Sequence, residues 1–184
     1  DALSTPDNVY GMFSNADLEF EDAVDSEGNK HPLTQGTFVK LLESDDRELR
    51  RSAYNNLYEA YGAYNNTLGA TLAGEVKKNV FNARSHQYQS AREAALSSNF
   101  IPEKVHDNLV KTIHEYLPLL HRYTKLRKSL LGIDDMKMYD MYTPLVKDVK
   151  FDMPYEEAKS WMLEALKPMG ETYMNVVKEG LNNG

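Results

Sequence analysis

The residues that come nearest to a catalytic centre in this sequence are a histidine followed by a glutamate, His114 and Glu115. Two histidines four residues apart on a helix, with a glutamate after the first, bind zinc and supply a general base. Pro118 stands four residues after His114, so this pair does not complete that motif. His121 lies about two helical turns beyond His114, with the proline between them. Because zinc needs three or four ligands, the sequence predicts no metal site here.

No other motif in the sequence carries a recognisable reaction chemistry. The serines lack the Gly-x-Ser-x-Gly turn of the α/β-hydrolases. The glycines near residues 62 to 74 lie in a helical pattern rather than in a phosphate-binding loop. His31 belongs to a predicted turn, and His86 stands where a long helix should end, so both are interpreted as structural. We therefore assign no catalytic, cofactor-binding or metal-binding residue in this chain.

A cluster of six acidic side chains lies between residues 17 and 27. It lacks the ligand spacing and the closing glutamate of an EF-hand loop. A solvated hairpin edge is therefore favoured over a calcium site. The six residues are Asp17, Glu19, Glu21, Asp22, Asp25 and Glu27.

Four tyrosines recur at helical spacing beside an aliphatic stripe: Tyr54, Tyr58, Tyr61 and Tyr64. Tyrosine packs its ring against apolar groups while its hydroxyl still bonds to water. Such a stripe is typical of the boundary between core and surface, because amphipathic side chains commonly lie there. Lining of a peptide channel is the second interpretation.

Composition and charge exclude several classes of protein. The net charge of −7 argues against a general nucleic-acid binder, and we expect no nucleic-acid partner. The one local basic run is interpreted as a solvated face near a helix end. The sequence contains no cysteine, so disulfides are excluded and a cytoplasmic location is predicted. It has no apolar stretch of membrane-spanning length, so no membrane partner is expected. The basic run consists of Arg122, Lys125, Arg127 and Lys128.

The hydrophobic pattern predicts a mainly α-helical chain. Thr34 is a plausible cap for a short helix, and the acidic residues after Ser44 open the longest one, which runs to about residue 87 with a bend or break near Gly69. Another short helix spans 90–97. A further helix begins at Pro102 and ends at Gly132, and Pro118 should kink or split it. The last helices follow residue 154, with an interruption at 167–168.

Two segments of the sequence differ from the helical pattern. Residues 18–33 predict a short β-hairpin around Gly28 and Asn29, and residues 138–146 predict an extended segment. We expect a multi-helix array forming one incomplete domain over 1–184. Its parts are 1–43 with the hairpin and short helices, 44–132 with the long helices, 133–153 with the extended segment, and 154–184 with the C-terminal helices.

The long helical pattern after residue 44 carries an apolar stripe that runs from Leu49 through Leu57 and Leu72 to Val80. Residues recurring every three or four positions lie on one face of a helix, so we expect this face to be core. On that basis Leu72→Asp is expected to unfold the helix, because it would place an unpaired charge in the core.

Six stretches of the sequence, in this order, resemble oligoendopeptidase F, a member of the thimet-oligopeptidase-like zinc metallopeptidases. The likeness extends from about residue 8 to residue 182. The stretches are 28–36 (GNKHPLTQG), 41–47 (LLESDDR), 70–81 (ATLAGEVKKNVF), 117–123 (LPLLHRY), 138–142 (MYDMY) with 144–146 (PLV), and 155–159 (YEEAK) with 163–168 (LEALKP).

This resemblance implies a part of a larger, two-lobed helical peptidase that cuts short peptides in a deep channel in the cytoplasm. The family holds its zinc through a His-Glu-x-x-His motif and a later glutamate, and these are absent here. The chain would then be a non-catalytic fragment that provides channel wall and support and has the remaining catalytic half as its partner. The lack of an initiator methionine also favours an incomplete protein. A helical interaction or scaffold module is the alternative.

Overall fold

The computed structural model describes residues 2–146 and 153–183, which fall into two compact units, 1–145 and 146–184. The first unit contains six α-helices and the β-hairpin, and the second contains two further α-helices. The helices are α1 (Thr5–Met12), α2 (Gln35–Leu42), α3 (Arg47–Ala63), α4 (Asn65–Ser85), α5 (Ala91–Ser97), α6 (Glu103–Leu131), α7 (Tyr155–Ala165) and α8 (Glu171–Asn183). The strands are β1 (Ala23–Val24) and β2 (Lys30–His31).

Four short turns of other helical types complete the described elements. Three are 3-10 turns and one is a π-type turn that continues directly from α1. The mainly α-helical fold with a small β-hairpin predicted from the sequence is confirmed. The division of the chain into four parts of one domain stays a prediction. The turns are Ala2–Ser4, Phe13–Asp17 (π-type), Met138–Asp140 and Lys167–Met169.

The predicted hairpin forms, with strands of two residues each. Ala23 faces His31, and Val24 faces Lys30, in an antiparallel pair. Gly28 has a φ of +88°, a backbone conformation that glycine adopts at little cost. Gly28 and Asn29, from which the hairpin was predicted, therefore lie in the connection between the two strands.

Side-chain caps begin three of the helices. The Thr34 hydroxyl accepts from the Thr37 backbone N–H at 3.1 Å, and the Thr37 hydroxyl accepts from the Thr34 N–H at 2.8 Å. The Asp46 carboxylate accepts from the backbone N–H groups of Glu48 and Leu49 at the start of α3. The Ser90 hydroxyl accepts from the Glu93 N–H at the start of α5. Each cap satisfies backbone donors that the first helical turn leaves unpaired. The helix starts predicted near residues 34, 44 and 90 are confirmed.

The break in the long helical pattern lies at Tyr64, and the prediction of a break near Gly69 is wrong. Tyr64 leaves the helical conformation, with φ −111° and ψ 19°, and separates α3 from α4. Its ring meets that of Phe13 edge-on, with the centroids 4.9 Å apart. Gly69 remains inside α4, since one glycine lowers helix stability by only about 1 kcal/mol. The break therefore coincides with a residue that makes a tertiary contact rather than with the glycine.

Pro118 does not split α6, which is one helix of 29 residues. Proline removes a single backbone hydrogen bond, and the bonds on both sides keep the two halves in one element. The helix ends at Gly132, whose φ of +66° fits the predicted glycine terminator.

The extended segment predicted for 138–146 is wrong in its first part, because Met138–Asp140 forms a 3-10 turn. The Asp140 carboxylate accepts from the Lys137 backbone N–H at 3.0 Å, which closes the turn. Val146 is the last described residue before residues 147–152, which lie outside the described part of the chain.

The main hydrophobic core lies where the first half of the predicted stripe, Leu49 to Leu57 on α3, packs on the hairpin and α2. Its buried members are Leu49, Ala53 and Leu57 of α3, with Ala23 of β1 and Leu33 between hairpin and helix. The predicted stripe is therefore core only in this half. In α4, Leu72 is 65% exposed. The premise that Leu72 lies in the core, on which the expectation that Leu72→Asp would unfold the helix depends, is therefore wrong. No helix in the described ranges, 2–146 and 153–183, has the length and apolar character to cross a membrane.

The second unit is built from α7 and α8. The Lys167–Met169 turn and Gly170, with φ +90°, separate the two helices, as Lys167-Pro168 predicted. Among the described residues of this unit, Met174 is the one that is buried. Lys159 Nζ donates to Asn182 Oδ1 at 2.8 Å.

Candidate functional surfaces

The histidines of the described chain do not gather into one site. His31 pairs with Asp25, and His86 bonds to the carbonyl of Asn82 at 2.8 Å at the end of α4. His114 and His121 lie exposed on α6. Within residues 2–146 and 153–183, no three His, Asp or Glu side chains form a group that could hold a metal ion. The described residues thus do not fit a zinc centre, and the assignment of no catalytic residue stays a prediction.

The acidic cluster at 17–27 contains one carboxylate with a structural role. Asp25 Oδ2 accepts from His31 Nε2 at 2.9 Å, and its two oxygens also accept from the backbone and side chain of Asn29. The hydrogen bond from His31, followed by that from Asn29, holds the pKa of Asp25 far below its ordinary value of 3.8. Asp25 therefore closes the hairpin turn, while the other five carboxylates of the cluster are exposed.

Removal of the Asp25 charge is expected to destabilise the hairpin in a pH-dependent way. The folded pKa is depressed, so the contribution of the carboxylate is fully present above about pH 4 and is lost as the pH falls towards the folded pKa. The melting temperature of Asp25→Asn should lie below that of the parent chain at pH 5 to 7, and the gap should close in acid. Asp22→Asn, on the exposed edge of the same hairpin, is the control; a gap for Asp25→Asn that is equal at all pH values would contradict this role.

The tyrosine stripe of α3 lies at the boundary between core and surface. Tyr54 and Tyr61 are half-buried, while Tyr58 and Tyr64 are 54% and 42% exposed. Gln35 Nε2 donates to the Tyr61 hydroxyl at 3.0 Å. These contacts give the stripe a packing role in the first unit. Its ring contacts are Tyr54 with Tyr58 (4.5 Å between centroids), Tyr54 with Tyr139 (5.9 Å), Tyr61 with Phe20 (5.9 Å) and Tyr64 with Phe13 (4.9 Å).

The most completely buried charge in the described chain is Asp140, which is 0% exposed. Arg50 Nη2 donates to its Oδ1 at 2.8 Å, and Arg47 donates to both oxygens, from Nε at 3.1 Å and from Nη2 at 3.0 Å. Burial by itself raises the pKa of Asp140, but the hydrogen bonds from Arg47 and Arg50 outweigh it and leave the pKa below its usual value. The ionised Asp140 carboxylate therefore links the Met138–Asp140 turn to α3.

Arg127 joins the C-terminal part of α6 to the same turn. It is 6% exposed, and its Nη2 donates to the carbonyls of Asp140 at 3.1 Å and Thr143 at 2.5 Å. Its guanidinium also stands 5.9 Å from the centre of the Tyr123 ring, within reach of a cation–π contact. The prediction of a solvated basic face holds for Arg122, Lys125 and Lys128, but it is wrong for Arg127 because these carbonyls bury its head group.

Sequence reasoning missed this arginine–aspartate network completely. Asp140 lies 93 residues from Arg47 and 90 from Arg50, so no local spacing relates them. The only signal was indirect: an aspartate within an aromatic and apolar segment needs a partner when that segment is buried.

A groove of about 880 Å³ runs between α1 and α4. Its walls are mainly apolar, with Val9 of α1 and Phe81 of α4 among the lining residues. Lys78 Nζ contacts Asp7 Oδ2 at 2.6 Å and so ties the two helices together. A Cβ at Gly74 would lie 3.1 Å from Pro6 Cγ, so the glycine allows α1 to approach closely.

Helix α6 carries more exposed large apolar residues than any other described helix. More than half of the surface of Leu109, Ile113, Tyr116 and Leu120 is exposed to solvent. These four residues follow one another at spacings of four, three and four, which places them on one face. Further apolar residues of this helix with at least 40% exposure are Val105, Val110, Leu119, Tyr123, Leu126 and Leu130.

The described residues form a mainly α-helical structure with a small β-hairpin. The sequence profile of peptidase family M3 matches residues 40–176. This chain belongs to peptidase family M3, and the resemblance to oligoendopeptidase F predicted from the sequence is confirmed.

Named relatives match nearly the whole chain but are several times longer. The oligopeptidase PepF of Bacillus subtilis is 51% identical over 183 residues, which are 100% of this chain and 27% of that protein. The group B oligopeptidase PepB of Streptococcus agalactiae is 46% identical, over 90% of this chain and 27% of that protein. The crystal structure of oligoendopeptidase-F from Enterococcus faecium matches 97% of this chain and 33% of its own, with a TM-score of 0.76 at 42% identity. The chain thus spans about a quarter to a third of the length of these relatives.

Proposed function

We propose that this chain is a non-catalytic part of a zinc-dependent oligoendopeptidase that hydrolyses short peptides, in which it forms channel wall and support. The observation that carries the proposal is 51% identity to an oligopeptidase along the entire chain, combined with coverage of only 27% of that relative. A segment so similar to one part of a peptidase is expected to do what that part does. The exposed apolar face of α6 supports a role in building a larger structure.

The metal of the proposed enzyme belongs to residues outside this chain. The described residues do not fit a zinc centre, so the contribution of this chain is shape and rigidity. When zinc is bound in such an enzyme, it lowers the pKa of a bound water to about 7 and so provides a nucleophile at neutral pH. The buried network around Asp140 holds α3, α6 and the Met138–Asp140 turn in fixed positions, as a wall element requires.

The proposed partners follow from the same argument. Short peptides are the substrates of the full-length enzyme, and the remaining catalytic half of the same protein is the partner of this chain. The net charge of −7 supports the absence of a nucleic-acid partner. We further propose that the enzyme is cytoplasmic and acts without a membrane partner.

The test compares the full-length protein encoded by the native gene with the 184-residue chain. We expect the full-length protein to bind about one zinc ion per chain, as a single catalytic site requires, and to cleave a quenched bradykinin-like peptide. The 184-residue chain should bind zinc no more tightly than an exposed histidine does and should not cleave the peptide. Metal analysis and fluorescence measure both properties. A full-length protein without zinc or cleavage, or an isolated chain with stoichiometric zinc and turnover, would contradict the proposal.

A helical interaction or scaffold module without catalytic activity is the alternative. The exposed apolar face of α6 favours it, because large exposed apolar patches mark interaction sites. The two functions predict different sequences in the native gene after the codon for Gly184. A reading frame that continues into a His-Glu-x-x-His motif supports the peptidase, and a stop codon directly after Gly184 supports the scaffold.

A further inference from the structure

The apolar arc of α6 covers more than half of the helix circumference. We define this arc as the α6 seam. Its centre is formed by Leu109, Tyr116 and Leu120, which lie within about 40° of one another at 100° per residue. Lys111 and Lys125 lie on the opposite side of the helix by the same count. The helix has 29 residues and is therefore about 44 Å long. An extended peptide would need about 13 residues to run the length of this helix.

Both ends of α6 are fixed before any partner covers the seam. At the N-terminal end, Arg92 of α5 contacts Glu103 at 2.7 Å and Asp107 at 2.8 Å. At the C-terminal end, Arg127 is buried against the carbonyls of Asp140 and Thr143. The seam between these anchors is thus presented on a preformed helix, which lowers the entropy cost of docking.

The spacing of the seam suits a helix as its partner. Leu109, Ile113, Tyr116, Leu120 and Tyr123 follow one another at intervals of four and three residues. This spacing gives a ridge of side chains that fits between those of a neighbouring helix. The chain covers 27% of the length of its Bacillus subtilis relative, so a longer polypeptide has ample sequence to supply such a helix.

We propose that the α6 seam is the docking surface for a helix of the same polypeptide that lies outside these 184 residues. The inference rests on the proposed function only in taking the chain as part of a longer protein. It adds the surface at which the two parts join and the chemistry of the join, which is apolar packing along a helix. A second copy of the chain is the competing occupant, and the test separates it.

Cysteine labelling tests the proposal directly, because the 184 residues contain no cysteine. Leu109→Cys and Leu120→Cys place a thiol in the seam, and Lys111→Cys and Lys125→Cys place one on the opposite side as matched controls. Each substitution is made in the full-length protein and in the 184-residue chain. The reaction rate with a maleimide is then read by peptide mass mapping, so that thiols elsewhere in the full-length protein do not interfere.

In the full-length protein, both seam thiols should react at least about tenfold more slowly than both control thiols, because a packed thiol must wait for local opening. In the dilute 184-residue chain, all four should react at similar rates. Leu120→Cys repeats the comparison independently if Leu109→Cys prevents folding, as judged by circular dichroism.

Two outcomes would overturn the proposal: seam thiols that react as fast as the controls in the full-length protein, or protection in the isolated chain that rises with its concentration, which would identify a second copy. These failures differ from failure of the proposed function. If the full-length protein cleaves peptides but its seam thiols react as fast as the controls, the docking surface alone is refuted. If its seam thiols are protected but it binds no zinc, the peptidase function alone is refuted.

Discussion

Asp140→Ala is expected to lower the free energy of unfolding of the 184-residue chain by about 3 to 5 kcal/mol, the cost of leaving a buried charge without its partner. Arg50 is 3% exposed. Among its hydrogen bonds in the described residues, the one to Asp140 is made to a carboxylate and the others are made to the carbonyls of Ser44 and Asp45, so the substitution would leave its charge without a counter-ion. Arg47 would lose two hydrogen bonds to the same group but is partly exposed, so water can replace them. The 3-10 turn would also lose the acceptor that closes it.

Urea denaturation followed by circular dichroism measures this effect. Asp135→Ala is the matched control: the Asp135 side chain is 70% exposed and pairs with Lys137, so its loss should cost less than about 1 kcal/mol. The pH dependence provides a second criterion. The folded pKa of Asp140 is lowered, so the stability that the carboxylate provides is present above about pH 4 and declines in acid. Equal effects of the two substitutions at neutral pH would show that the network does not hold the unit together.

Leu57→Asp is expected to abolish folding of the first unit, whereas Leu72→Asp should change its stability by less than about 0.5 kcal/mol. The two leucines follow the same helical stripe in the sequence, but Leu57 is 8% exposed and Leu72 is 65% exposed. An aspartate at residue 57 would bury a carboxylate among Ala53, Leu49 and the hairpin residues without a cationic partner. At residue 72, the carboxylate would remain in water.

Thermal denaturation of the isolated chain distinguishes the two substitutions. Leu57→Asp should lose the cooperative transition, while Leu72→Asp should keep the melting temperature within about 2 °C of the parent. Leu57→Ala is a milder version, with an expected loss of about 2 to 5 kcal/mol from the cavity it creates. A large loss of stability from Leu72→Asp would show that α4 is buried in solution and that the core extends beyond α3.

The helix ends of this protein could be predicted because the groups that make them are close in sequence. Thr34 and Thr37 cap α2 reciprocally across three residues, and Ser90 bonds to the backbone of Glu93. Gly132 ends α6 through its own backbone freedom. Local chemistry of this kind does not depend on what the rest of the chain does.

Breaks and burial were predicted less well, because they depend on contacts between distant segments. The helix breaks at Tyr64, whose ring meets Phe13, rather than at the glycine that local propensity favours. Pro118 was expected to kink or split α6, and the helix is not split there. In both cases the summed contacts of a whole element exceed the preference of one residue, which is worth about 1 to 3 kcal/mol.

The sequence by itself determined the helical class, the hairpin and the family, because each depends on residue patterns that are read along the chain. The tertiary structure alone decided that Asp140 joins Arg47 and Arg50 across about ninety residues and that the apolar stripe is buried at Leu57 but exposed at Leu72. A helical period defines which side chains share a face, whereas burial of that face requires a second surface, and only the folded arrangement places one against it.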